Sequence, residues 1–231
     1  MIHIILVEPE NPGNIGAIAR VMKNFDQTNL FFVNPKCDVK DIEALKRSKQ
    51  GLQILEKATT IQTEDLKKFD YLIGTTAKLG TDYNIQRTPL SPWELADKIA
   101  NVTKTKIGIL IGRESFGLTN EELSLCDFIV NIPSSRKYPT LNVSHSVGIL
   151  LYELFKIKSV RRIKPISAEK KNMIHALFEE LLNSLSFSTD KKKNIQVNLW
   201  KKIIGKSLLS ERESLLVLGF LRKIMKALKR L

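Results

Sequence analysis

Residues 132–155, IPSSRKYPTLNVSHSVGILLYELF, decide how the chain is read. A β-type run at residues 128–132 leads into a polar loop. That loop holds two serines, Arg136, Lys137 and Tyr138 between Pro133 and Pro139. After a turn at Thr140-Leu141-Asn142, the apolar residues Val143, Val147, Leu150, Leu151, Leu154 and Phe155 recur by threes and fours, the spacing of one helical face. Asn142 or Ser144 can cap that helix, since a short polar side chain satisfies the free N–H groups of a first turn. The expected arrangement is a polar loop over the N-terminus of a buried helix, where open backbone donors can hold a polar ligand. On its own such a stretch is more often an ordinary strand–loop–helix connection than a site.

The pattern repeats toward the N-terminus. Residues 1–7 are nearly all apolar and predict a central, buried strand. A turn follows at residues 8–14, then a helix over residues 15–25 with Ile15, Ile18, Ala19, Met22 and Phe25 on one face and Asn14 as its cap. Gly16, Ala17 and Ala19 are small enough for close backbone approach. Further strands are expected at residues 30–33, 59–62, 71–77 and 106–111. The helices between them lie at residues 40–55 (broken near Gly51), 64–69 and 91–102, and a short one after Thr119 has Glu122 at the capping-box position. Alternation of this kind predicts an α/β domain with a mainly parallel sheet. The polar turns after Val7, Gly74, Ile111 and Ile132 all fall at carboxyl ends of strands, where such sheets take their ligands.

The formal net charge of +13 is unevenly placed. Residues 1–155 carry 18 basic and 18 acidic side chains, whereas residues 156–231 carry 19 and 6. A neutral body with a basic tail suggests a polyanion partner, RNA or DNA before a membrane surface. The tail, about three amphipathic helices over residues 168–185, 190–204 and 210–228, is too small for a strong core and should pack on the main domain or a partner subunit. The boundary is expected near residue 160, giving bodies of residues 1–160 and 161–231. Cys37 and Cys126 match no metal spacing and read as reduced thiols of a cytoplasmic protein. No metal site, no membrane span and no signal segment is expected.

Three stretches taken together carry a resemblance. Glu8-Pro9, Asn11-Pro12-Gly13-Asn14-Ile15-Gly16 and Ala19-Arg20 resemble the first motif of the SPOUT-class (TrmH superfamily) RNA 2'-O-ribose methyltransferases. Gly112-Arg113-Glu114 with Gly117-Leu118 resembles their second motif, and Ile132-Pro133 with Leu141-Asn142-Val143-Ser144 their third. Residues 74–77 (GTTA), 118–123 (LTNEEL) and 221–224 (LRKI) are most similar to the TrmJ-like tRNA enzymes of that class. The resemblance implies a trefoil knot in the α/β domain, bound S-adenosylmethionine and a homodimer. It also implies methylation of a ribose 2'-hydroxyl in the anticodon loop of tRNA, at pyrimidine 32.

Carried over residue by residue, it implies a cofactor site at Thr75, Thr76, Ala77, Gly112, Ile132, Thr140, Leu141 and Asn142, with Gly112 admitting the cofactor close to the backbone. Thr140 stands where many relatives have serine. Lys78 stands where arginine is common, keeping the charge without the planar fork. A 2'-hydroxyl is a weak nucleophile, so the enzyme must align the reacting atoms and stabilise charge growing on oxygen. Arg20 is the candidate for the second task. As a guanidinium it cannot serve as a free base, and instead lowers the effective pKa of the hydroxyl or orients a phosphate. Asn14 would hold Arg20 or the ribose, Glu114 would fix the motif loops or orient Arg20, and Asn142 would cap its helix and contact a ligand. RNA phosphates are expected on Lys78, Arg87, Arg161, Arg162, Lys164, Lys191, Lys192, Lys193, Lys201 and Lys202. Two rivals stay open: the same chemistry on ribosomal RNA, and a non-catalytic RNA-binding protein on this fold. A nucleotide-cofactor oxidoreductase is disfavoured, because Pro12-Gly13-Asn14-Ile15-Gly16 lacks the Gly-x-Gly-x-x-Gly turn.

Overall fold

The computed structural model describes residues 1–77, 89–100, 102, 104–156 and 165–228. Six strands, β1 (Ile2–Val7), β2 (Leu30–Val33), β3 (Thr59–Ile61), β4 (Tyr71–Thr75), β5 (Ile107–Ile111) and β6 (Phe128–Val130), form one sheet in the order β3-β2-β1-β5-β4-β6. Every pairing between them is parallel, with Ile4 of β1 opposite Leu30 on one side and Ile109 on the other. The nearly unbroken apolar runs of β1 and β5 suit the middle of such a sheet, where both faces are covered. Ile4 and Leu6 face one apolar layer, Ile5 and Val7 the other. The strand order changes direction between β1 and β5, so the turns after β1, β4, β5 and β6 gather at one end of the sheet.

Helix α1 (Pro12–Asn24) packs between α2 (Ile42–Ser48) and α6 (Val143–Phe155) on the first layer. Its cap lies three residues before the expected one. Asn11 is the cap, its Oδ1 accepting from the N–H of Gly13 at 2.8 Å and of Asn14 at 3.4 Å, with Pro12 in the first turn. Proline has no N–H to satisfy and its fixed φ suits a first helical residue, so the Asn-Pro pair sets the start and carries Asn14 into the helix. The expected helix at residues 40–55 divides at Gly51 into α2, a 3-10 turn and α3 (Leu52–Glu56). Helix α4 (Pro92–Ile99) and the short α5 (Asn120–Ser124) both start at capping boxes, Ser91 with Glu94 and Thr119 with Glu122.

The tail forms α7 (Ala168–Asn183), α8 (Asp190–Ser207) and α9 (Glu211–Leu228) around Ile166, Ile174, Ile204, Leu218 and Leu221. It docks on the amino ends of β4 and β6. Lys171 reaches Asp127 Oδ2 at 2.7 Å, which also accepts the Leu72 N–H at 2.9 Å, and Asp70 Oδ1 accepts the N–H of Ala168 at 2.8 Å. Gly205 lies so close to Asp127 that a Cβ there would sit 2.5 Å from its Oδ1. Burial pushes the Asp127 carboxyl up, against the pull of Lys171 and the Leu72 N–H. Lys202 corrects the charge-based expectation: it is buried at this seam, not presented to solvent, because its position on α8 faces the sheet. Burial lowers its ammonium to about 8. Among the described residues no helix is long and apolar enough to cross a membrane, and no cluster of His, Cys, Asp and Glu could hold a metal ion.

Candidate active site

The loops at the carboxyl ends of β4, β5 and β6 and the start of α6 enclose a cleft of about 350 Å³. Seven of the eight residues expected to hold a cofactor line it: Thr75, Thr76, Ala77, Gly112, Ile132, Thr140 and Leu141. Its walls are aliphatic at Ile111, Leu118, Val130 and Val143, with Ser146 adding a hydroxyl. The β4 loop is tied to β6 on two sides, by the Thr76 N–H on Val130 O at 2.9 Å and by Asn131 Nδ2 on Thr76 O at 2.8 Å. Thr75 donates its hydroxyl to Leu110 O at 2.9 Å.

Gly112, which lines the cleft, also has a structural task. A Cβ there would stand 2.2 Å from the Gly117 carbonyl carbon and 2.3 Å from Leu118 N, so its bareness lets the following loop fold back on β5. Gly117 closes that loop at φ +79°, a conformation glycine takes without steric cost. The Arg113 and Gly117 backbones exchange hydrogen bonds at 3.3 and 3.0 Å.

Arg113 anchors the loop from beneath. It is 8% exposed, grips both oxygens of Glu122 at 2.9 Å and donates Nε to Glu8 Oε2 at 2.9 Å. These bonds push its guanidinium further up and hold the Glu8 carboxyl at about 2, the hydrogen bond from Arg113 being the largest cause. Glu8 itself takes φ +46° and accepts from Asn34 Nδ2 at 2.6 Å. The β1, β2 and β5 loops are thereby joined through one buried fork. Neither Glu8 nor Arg113 was singled out for this role. The available signal was a pair of opposite charges at adjacent strand ends, together with the Glu122 of the capping box.

A second chain of bonds runs through the three motif stretches. Asn142 caps α6, its Oδ1 accepting from the Ser144 N–H at 2.8 Å and the Ser144 hydroxyl at 2.7 Å. Its Nδ2 donates to Asn14 Oδ1 at 3.0 Å, and Asn14 Nδ2 donates to Glu114 Oε1 at 3.0 Å. Glu114 Oε2 accepts the Glu10 N–H at 2.9 Å. Asn14 therefore joins Glu114 and Asn142, which lie 100 and 128 residues from it in the chain. Asn14 is buried, Asn142 is exposed, and of the three only Glu114 lines the cleft.

Arg20 does not join them. It lies six residues past Asn14 on α1, roughly 9 Å along the axis and on another side of the helix. It is exposed and forms no bond with Asn14 or Glu114. Val21, next in the chain, lies beside Gly148 of α6, and Phe25 meets Tyr152 and Phe155 of α6 ring to ring. Ile149, Tyr152 and Phe155 are 37%, 52% and 58% exposed there.

Of the expected phosphate ligands, Lys191 and Lys192 are exposed at the start of α8. Lys193 lies 3.5 Å from Asp190, and Lys201 3.9 Å from Glu179. Lys78, Arg87, Arg161, Arg162 and Lys164 lie outside the described residues.

Comparison with known proteins gives the same reading over most of the chain. Residues 1–152 match the SpoU rRNA Methylase family. The chain is 37% identical over 222 residues to a tRNA (cytidine-2'-O-)-methyltransferase TrmJ of Methanocaldococcus jannaschii, covering 93% of this chain and 95% of that protein. It is 28% identical over 246 residues to a tRNA (cytidine/uridine/adenosine-2'-O-)-methyltransferase TrmJ of Pseudomonas aeruginosa, covering 97% and 94%. The crystal structure of TrmJ from Z. mobilis ZM4 shares the fold at a TM-score of 0.76 and 23% identity, over 97% of this chain and 99% of that one. AviRb from Streptomyces viridochromogenes, solved in complex with the cofactor AdoMet, does so at a TM-score of 0.54 and 23% identity, over 67% and 59%.

Proposed function

The chain belongs to the SpoU rRNA Methylase family, and from that premise we propose that it methylates a ribose 2'-hydroxyl of tRNA, at pyrimidine 32 of the anticodon loop, with S-adenosylmethionine as donor, in the cytoplasm. The observation that carries this reading is the Glu114–Asn14–Asn142 chain beside the cleft, which joins the three motif stretches at one point. The cleft suits the donor. Its volume is within the range of small-ligand pockets, its aliphatic walls suit a purine, and its threonine and serine hydroxyls suit a ribose and an amino-acid tail. When bound, the donor supplies an electrophilic methyl on a sulfonium.

The chain's own residues do the rest. Asn14 and Asn142 are locked amides that fix the approach of the ribose, and Glu114 holds Asn14 in the required orientation. Arg20 stabilises charge on the attacking oxygen. Because Arg20 is exposed and does not line its own cleft, and the next residue, Val21, borders the exposed apolar strip of α6, it acts in the cleft of a second copy joined through that strip, as a homodimer. The basic tail, with Lys191 and Lys192 exposed, holds phosphates at a distance from the chemistry.

The test is transfer of labelled methyl from S-adenosylmethionine to bulk tRNA, followed by nucleoside digestion and mapping. A 2'-O-methylated pyrimidine in the anticodon loop is the expected product. Transfer to ribosomal RNA alone would overturn the substrate, and cofactor binding without transfer to either would overturn the reaction. Arg20→Ala is expected to abolish transfer and leave cofactor affinity unchanged. Mixing it with a second inactive variant, Asn14→Ala, should restore part of the activity if the two residues serve one cleft from different copies.

A further inference from the structure

Two exposed loops flank the mouth of the cleft, and the proposed chemistry gives no task to Phe116 or to residues 136–138 on them. One is the loop after β5, where Phe116 is 62% exposed. The Arg113 guanidinium lies 4.8 Å from the centroid of its ring. That guanidinium is itself clamped by Glu122 and Glu8, so the ring is backed by a fixed cation on one face. The other is the loop before α6, where Arg136, Lys137 and Tyr138 are exposed, Tyr138 at 78%. Its shape is set locally: Ser134 donates its hydroxyl to Pro139 O at 2.7 Å, the Tyr138 N–H donates to Ser135 O at 3.2 Å, and the Lys137 N–H to Ser135 Oγ at 3.3 Å. Pro139 and Thr140, next in the chain, line the cleft, as does Phe116.

Exposed aromatic rings beside two cations, on loops already held in shape, are what single-stranded RNA requires. Bases stack on rings whatever their identity, and cations take the flanking phosphates. Holding the rings beforehand lowers the ordering cost of binding. We propose that this rim is the platform for the target loop of the RNA. Phe116 and Tyr138 stack unpaired bases at or beside the reacting nucleotide, and Arg136 and Lys137 bind the neighbouring phosphates. The inference deepens the proposed tRNA methyltransfer, on which its catalytic arm rests, and assigns the contacts nearest the chemistry to the body of the protein instead of its basic tail.

The experiment measures two things on the full chain: binding of a short unstructured RNA by fluorescence anisotropy, and steady-state methyl transfer to tRNA. Tyr138→Ala and Phe116→Ala are each expected to weaken RNA binding and raise KM for tRNA about 10-fold, with kcat and S-adenosylmethionine affinity for Tyr138→Ala within about twofold of the parent by the same account. Tyr138→Phe and Phe116→Tyr should restore binding, since each keeps a π face. Arg136→Gln with Lys137→Gln should lower the slope of log affinity against log salt by about 2, about 1 per phosphate contact. Parental binding in both alanine variants would overturn the platform while leaving the methyltransfer reading intact. Equal losses of RNA and cofactor affinity would also overturn it, showing a lid over the cofactor. If the parent protein methylates no RNA, the functional reading fails, and the binding arm still decides the platform.

Discussion

Arg113 and Asn142 show how much rests on single side chains here. Arg113→Met would strand Glu122 and Glu8 around an empty, poorly hydrated space, at about 2–3 kcal/mol by the cost of unpairing partly buried charges. Arg113→Lys should keep the charge and lose the fork, giving an intermediate melting temperature. The Glu8 carboxyl is held at about 2, below its ordinary 4.5, so the stability it contributes is fully present above pH 4.5 and is lost as pH falls toward 2. Glu8→Gln should flatten the stability curve in that window, which urea titrations at stepped pH would measure. Asn142→Ala removes a helix cap and leaves Asn14 with an unanswered buried oxygen, at about 1–3 kcal/mol together. Its loss of methyl transfer should exceed what that destabilisation explains. Asn14, Glu114 and Asn142 were singled out only through the resemblance of the three motif stretches; the bonds that join them come from the fold. The Glu8–Arg113 bond was not legible in the sequence, since it spans 105 residues and depends on β1 and β5 being neighbours, which no local pattern specifies.

Helix α1 owes its position to what it lacks. A Cβ on Gly16 would stand 2.2 Å from the Ala44 carbonyl oxygen of α2, and one on Gly51 would stand 2.4 Å from the Ala19 carbonyl oxygen. The helix is thus gripped by backbone on two sides, as its run of small residues foretold. Gly16→Ala is expected to cost about 2 kcal/mol or more as an overpacking change. It should also tilt Asn14 away from Asn142, so that methyl transfer falls along with the melting temperature. By contrast, Gly148→Ala, where the nearest atom is Val21 Cγ1 at 3.6 Å, should be tolerated. The element types followed from periodicity, and the boundaries were less well defined. The cap of α1 was misplaced because two asparagines stand three apart, and only the intervening proline separates a cap from a first-turn residue.

At the scale of the whole molecule, the buried Lys171–Asp127 ion pair lies at the seam between sheet and tail. Lys171→Met should cost about 3–5 kcal/mol by leaving Asp127 buried and unpaired, whereas Lys171→Met with Asp127→Leu should recover much of that loss. Equilibrium urea unfolding of the two variants would separate these outcomes. Charge counting found the basic tail but could not say which lysines face water. Lys171 and Lys202 are two of its cations, and both are spent on the seam.

The tail is fastened at the amino ends of β4 and β6, while the cleft opens at their carboxyl ends. On the proposed reading, an RNA gripped at both places must run past the full length of a strand such as β4, roughly 17 Å for five residues. The protein is then a ruler. A minimal hairpin can fill the cleft without ever touching the tail, and a molecule long enough to reach both gains the second contact at no loss of register. Selection among RNAs that carry the same target loop would rest on length and shape rather than on sequence.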